Sequence, residues 1–273
     1  MSPKNSMIVL VSGEGNTDMG EADWGTTGIC APGKWYPGPM AHFVDRFISK
    51  LYGCEPLAWH SMWFVPESVV SNISKKISPM VLRKSGTRSG AAGFKKNAFA
   101  LLALAYQLSS VENCSVLPIL FRDIDGSQRE HREDPDRWGT IHDEIAYCVN
   151  SAEQIIYVCP MVPKPKSEVW LLCALTKNYH FCDELEELSG NDDSPKSIKS
   201  ILAQCIKKDV TRTNLVDLIE KGDIDPLKIN MPSIKNFEQD LRTITYSMDK
   251  IKLLPFSLLD KLNKCSLGVD INK

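Results

Sequence analysis

Two short apolar runs, each closing on a turn rich in glycine or acid, constrain this chain more than any other feature. Met7-Ile-Val-Leu-Val11 runs into Gly13-Glu14-Gly15, and Val116-Leu-Pro-Ile-Leu-Phe121 runs into Arg122-Asp123-Ile124-Asp125-Gly126. Runs of this length between turn residues fit strands buried on both faces. Further strands are expected at residues 57–65 and 154–158. Between them, residues 40–51 place Phe43, Phe47, Ile48 and Leu51 at helical spacing, and residues 138–149 do the same with Ile141, Ile145 and Val149. Residues 97–108 are apolar nearly all round behind Asn97, which predicts a buried helix capped by that residue. Strands alternating with helices predict an α/β fold with a mainly parallel sheet flanked by helices.

After residue 178 the strand signals stop. Ser194-Pro195 predicts a helix start ahead of the stripe Ile198, Ile201, Leu202, Cys205 and Ile206, and Ser233 precedes Ile234, Phe237, Leu241, Ile244 and Met248. The expected division is an α/β catalytic domain over residues 1–178 and a helical C-terminal extension over residues 179–273.

The formal net charge of −2 excludes a polybasic arm or an acidic tail protein. The longest apolar stretch, residues 98–108, falls well short of the roughly 20 residues that cross a bilayer. No signal-peptide pattern precedes residue 7, so a cytoplasmic protein with no membrane association is expected. Nine cysteines, none in a Cys-x-x-Cys pair, are read as reduced core residues without a zinc site. The five histidines show no metal-ligand spacing. The order of Gly86, Gly90, Gly93, Lys95 and Lys96 is not that of a phosphate-binding P-loop. Residues 68–111 contain no acid but seven cations, which marks Arg83, Lys84, Arg88, Lys95 and Lys96 as candidate phosphate contacts.

Ligands of α/β sheets bind beyond the carboxyl ends of the strands. Glu14, Asp123 and Asp125 all follow such ends, so their carboxylates converge if the strands are neighbours. Carboxylates at that range repel one another unless a cation neutralises them, and hard oxygen donors suit Mg²⁺ or Mn²⁺. A solvated glycine turn and a plain Asp-x-Asp strand end account for the same residues without chemistry. A third segment, Met161-Val-Pro-Lys164-Pro-Lys166-Ser167-Glu168-Val-Trp170, adds two cations and an acid, although Ser167 and Glu168 also fit an ordinary helix start.

Together, the glutamate in a glycine turn, the Asp-x-Asp after a later strand and the Pro-rich Glu-x-Trp-Leu-Leu helix resemble the Toprim fold. The resemblance is closest to its nuclease-like members from bacterial genome-defence loci, and it spans residues 7–175. It implies a Mg²⁺-dependent nuclease in which Glu14, Asp123 and Asp125 hold the metal or act beside it, with Glu168 as an additional acid. The implied partners are a nucleic acid, DNA or RNA, and a protein of a defence complex. Lys164 and Lys166 join the basic residues above as candidate nucleic-acid contacts. The chain departs from the short Toprim pattern at residues 16–39, a loop with Asp18, Glu21, Asp23, Trp24 and Trp35 that reads as a lid or partner surface. No tyrosine stands in the setting of a DNA-breaking nucleophile. Two alternatives share these residues: a non-catalytic or regulatory subunit that keeps the fold, and a haloacid-dehalogenase-type phosphatase with Asp123 as nucleophile.

Overall fold

A computed structural model describes residues 7–77, 92–124, 136–146, 149–151, 154–156, 158–176, 182–188, 190, 197–248 and 270–272. A six-stranded sheet runs in the order β10-β3-β5-β1-β6-β9. Its strands are β1 (Met7–Gly13), β3 (Ile29–Cys30), β5 (Met62–Pro66), β6 (Ser115–Phe121), β9 (Cys159–Met161) and β10 (Ile271–Asn272). β5, β1, β6 and β9 are parallel to one another, while β3 runs antiparallel to β5. β2 (Gly20–Ala22) and β4 (Trp35–Pro37) form a separate antiparallel ribbon, as do β7 (Val149–Ser151) and β8 (Gln154–Ile156).

Alternation along the strands divides the core into two layers. Val9, Val11, Phe64, Leu117, Ile119 and Phe121 face one cluster, and Ile8, Leu10, Trp63, Val65 and Leu120 face the other. The second layer is closed by α2 (Glu67–Lys76), α3 (Ala92–Glu112) and α4 (Arg137–Ala146). The first is closed by α1 (Pro39–Tyr52), α5 (Ser167–Leu175), α6 (Ile198–Ile206), α7 (Arg212–Glu220) and α8 (Pro232–Met248). Phe237 of α8 meets Phe47 of α1 edge-on at 5.5 Å, and Trp170 of α5 stacks with Phe43 at 6.2 Å. One apolar cluster therefore runs through the expected boundary at residue 178.

Several elements differ from expectation for identifiable reasons. Residues 57–61 do not join β5, because Ser61 and Met62 both donate their amides to the Pro56 carbonyl and close a turn. Helix α3 starts at Ala92, so Asn97 lies inside it rather than at its cap. The sheet strand ahead of α5 is β9, whereas Gln154–Ile156 pairs with Val149–Ser151. Ser197 caps α6, accepting from the Ser200 amide at 3.2 Å, and Ser194-Pro195 lies outside the described residues. β10 adds strand pairing in a region expected to be wholly helical. The cysteines are not all reduced: Cys173 and Cys182, both buried and with Cα atoms 5.5 Å apart, are joined in a disulfide between α5 and the turn after it. No helix among the described residues is long and apolar enough to cross a membrane.

His142 of α4 and Asp240 of α8 meet at 2.7 Å, clasping the two helix layers around the β9 side of the sheet. Burial opposes charging of the imidazole, but the bond to Asp240 and the charges of Asp240 and Asp143 outweigh it and raise the pKa above the ordinary value. The clasp therefore contributes fully below about pH 6.5 and is lost as pH rises through the folded-state pKa. Asp240→Asn should cost about 1–2 kcal/mol at about pH 5.5 in urea denaturation and less at about pH 8.5. An equal cost at both pH values would show that no protonated histidine is involved.

Candidate functional site

The register of β1 on β6 brings Gly13 level with Phe121, so the residues that follow, Glu14 and Arg122-Asp123, emerge side by side. The approach is close enough that a Cβ on Gly13 would stand 2.7 Å from the Phe121 Cβ. Only glycine fits there without displacing β6. Glu14 uses one carboxylate oxygen to accept the Asp123 amide at 2.6 Å and the other to meet the Arg122 guanidinium at 3.0 Å. The same guanidinium holds Glu67, the first residue of α2, at 2.8 Å and lies over the Phe94 ring. Arg122 thus ties together the carboxyl ends of β1, β5 and β6.

Asp123 points the other way, toward β9 and α5. Its Oδ1 accepts the Ser167 amide at 3.0 Å, at the N-terminus of α5 where the helix dipole favours a negative charge. The Arg122 amide donates to Met161 and the Ile124 amide to Pro165, which fixes the loop that delivers Ser167. Ser167 Oγ in turn donates to Asp18 at 2.5 Å and stands 3.4 Å from Glu168.

Asp18 arrives through the helical turn Gly15–Met19, four residues after Glu14. The start of α1 passes directly over it, and a Cβ on Gly38 would run into the Asp18 carbonyl. Burial pushes the Asp18 carboxyl above its usual range, against the opposing pull of the Ser167 and Thr17 hydroxyls and of Lys199 and Lys166. Glu168 is raised as well, by burial first and by the charge of Asp18 second, with Lys166 and Lys199 opposing. Two acids inclined to hold protons therefore share one serine hydroxyl and two ammonium groups at the carboxyl edge of the sheet.

Of the residues singled out from the sequence, Glu14, Asp123, Glu168 and Lys166 come together at this edge. Asp125, Arg83, Lys84 and Arg88 lie outside the described residues. Lys166 is only 6 % exposed and acts on the acids rather than on solvent. Lys164 is paired with Glu187 at 2.8 Å. Lys95 is 4 % exposed, with its ammonium 3.8 Å from Glu144 of α4, so it presents no charge to a phosphate at the surface. Lys96, on the same helix, is half-buried. The residues missed were Asp18, Ser167, Arg122 and Lys199. No periodicity marks Asp18, and its place among the acids follows from the Ser167 hydroxyl that reaches it.

The donor set is hard oxygen throughout, which fits Mg²⁺ or Mn²⁺ in kind, and a cation would relieve the repulsion between Asp18 and Glu168. Among the described residues, no three His, Cys, Asp or Glu side chains form a metal-holding group. The chain matches no family model, no curated protein and no solved structure.

The raised carboxyls make the site a source of pH-dependent instability. In the folded state they bind protons that the unfolded chain has already released, so stability falls as pH rises from the ordinary carboxylate range through their folded pKa values. Asp18→Asn combined with Glu168→Gln should raise the melting temperature at neutral pH. That gain should vanish below about pH 4, where both carboxyls are protonated in either state.

Proposed function

We propose that this chain is a Mg²⁺-dependent nuclease that hydrolyses phosphodiester bonds of DNA or RNA in the cytoplasm, in defence against phage and together with a protein partner. The observation that carries the reading is the meeting of Glu14 with Asp123 at the carboxyl edge of the sheet, with Asp18 and Glu168 joined to them through Ser167. The resemblance to defence-associated Toprim nucleases supports the choice of phosphodiester chemistry and of the biological setting.

In this reading Glu14, Asp123, Asp125 and Glu168 would hold the metal. When bound, Mg²⁺ supplies an activated water and Lewis-acid stabilisation of the phosphoryl oxygens. Arg122 keeps Glu14 facing the site. Ser167 orients Asp18, whose raised pKa suits it to deliver a proton to the leaving oxygen. Lys166 and Lys199 place positive charge where negative charge develops on the phosphate. A second reading, the non-catalytic subunit, is favoured by one feature: the Glu14 carboxylate is already satisfied by Arg122 and the Asp123 amide.

Cleavage of single- and double-stranded DNA and RNA, with Mg²⁺ or Mn²⁺ and with EDTA, tests the first reading. Glu14→Gln and Asp123→Asn should each lower metal-dependent cleavage by at least roughly 100-fold while circular dichroism stays unchanged. Undiminished cleavage by Glu14→Gln would remove the nuclease assignment, and loss in Asp123→Asn alone would favour the phosphatase. Thermal stabilisation by Mg²⁺ without cleavage of any substrate would favour the non-catalytic subunit.

A further inference from the structure

A cavity of about 440 Å³ opens between β4, α1, the turn before β5 and α7, apart from the acids described above. Its volume lies in the range of small-molecule sites, roughly 300–1,000 Å³. Trp35, Tyr36, Met62 and Val216 supply apolar and aromatic wall, while His42, His60, Asp217 and Glu220 supply the polar groups. Among the described residues these imidazoles and carboxylates do not form a metal-holding group. Arg212 at the rim is committed, its guanidinium lying over the Tyr36 ring and bonded to Glu21 at 2.9 Å.

The chemistry of the lining narrows the occupant. Burial pushes the His42 pKa down, with Arg46 adding to the shift and Glu220 only partly offsetting it. At neutral pH its ring is uncharged and offers one donor and one acceptor. An anionic ligand would face Asp217 and Glu220, and a purely apolar one would leave the imidazole without a partner. A planar heteroaromatic ring with its own alternating donors and acceptors satisfies both walls and polar groups. His60, which closes the turn before β5 in a left-handed conformation (φ 54), lines the cavity wall.

We propose that this cavity binds an amino-bearing nucleobase of the adenine or cytosine type, with its ring against the apolar wall, its amino group donating to Glu220 and its edge matched by His42. The base can come from a free nucleoside or from an unpaired position in a strand. The cavity and the acid site share a ribbon: Glu21, the partner of Tyr36, lies three residues after Asp18, at most about 11 Å along extended chain.

Calorimetric titration of the full chain in EDTA, with adenosine, thymidine and a short single-stranded adenine oligomer as probes, tests the proposal. Adenosine should bind saturably and thymidine, which lacks the amino group, at least tenfold more weakly. Glu220→Gln, which replaces a charged acceptor with a neutral one, should weaken adenosine binding roughly tenfold. Val216→Trp, which fills the cavity, should abolish binding; circular dichroism checks its folding, and Glu220→Gln decides if it is unfolded. An oligomer that binds more tightly than adenosine and is lost in the same variants assigns the base to a strand; one that binds no more tightly assigns it to a free nucleoside. Absence of adenosine binding at millimolar concentration, equal binding of thymidine, or binding unchanged in the folded variants overturns the proposal. With neither metal nor cleavage in the readout, the result is independent of the nuclease reading.

Discussion

The pairing of β1 with β6 is the constraint on which the rest of the molecule depends. Seven consecutive residues of each strand are in register, from Met7 on Ser115 to Gly13 on Phe121. A slip of one residue would turn every apolar side chain of β1 to the opposite layer, so the two buried clusters lock the register from both sides. That lock carries a chemical result, because it sets Glu14 beside the amide of Asp123 although 109 residues separate them. Three of the four parallel strands that end at this edge then share Arg122, whose positive charge holds two carboxylates that would otherwise repel.

Beyond that clamp, charge is arranged by burial more than by number. Asp18 and Glu168 sit where desolvation disfavours their ionised forms, and Lys166 and Lys199 offset only part of the effect. Core burial elsewhere keeps the scaffold rigid around them: Ser167 is fully buried, and Trp170, three residues on in α5, is fixed by ring stacking and by a 2.8 Å bond to Ser233. The acids that titrate abnormally are thus mounted on an element that has little freedom to move.

Much of this was legible from local pattern. Apolar runs at residues 7–11 and 116–121 marked the central strands, and Glu14 and Asp123 were visible as carboxylates at their ends. What escaped depended on contacts between distant residues. Cys159–Met161 is three residues long and contains a proline, so only its pairing with β6 identifies it as a strand. Asp18 lies in a segment with no periodicity, and its role comes from the α5 serine that reaches it. Lys95 belongs to a basic stretch in sequence, yet α4 covers it and Glu144 neutralises it. The Cys173–Cys182 bond follows from the return of the chain after α5, which no spacing rule announces.

One feature of β6 bears on which strands can add to it. β9 pairs only with Ile119–Phe121, so on the side away from β1 the segment 115–118 meets no strand among the described residues. A strand edge without a partner invites pairing with another chain and, from there, aggregation. Pro118 stands at the inner limit of that stretch, opposite Leu10, and has no amide hydrogen to offer an incoming strand. A proline at this position interrupts the run of donors that a strand adding to that side of β6 would need.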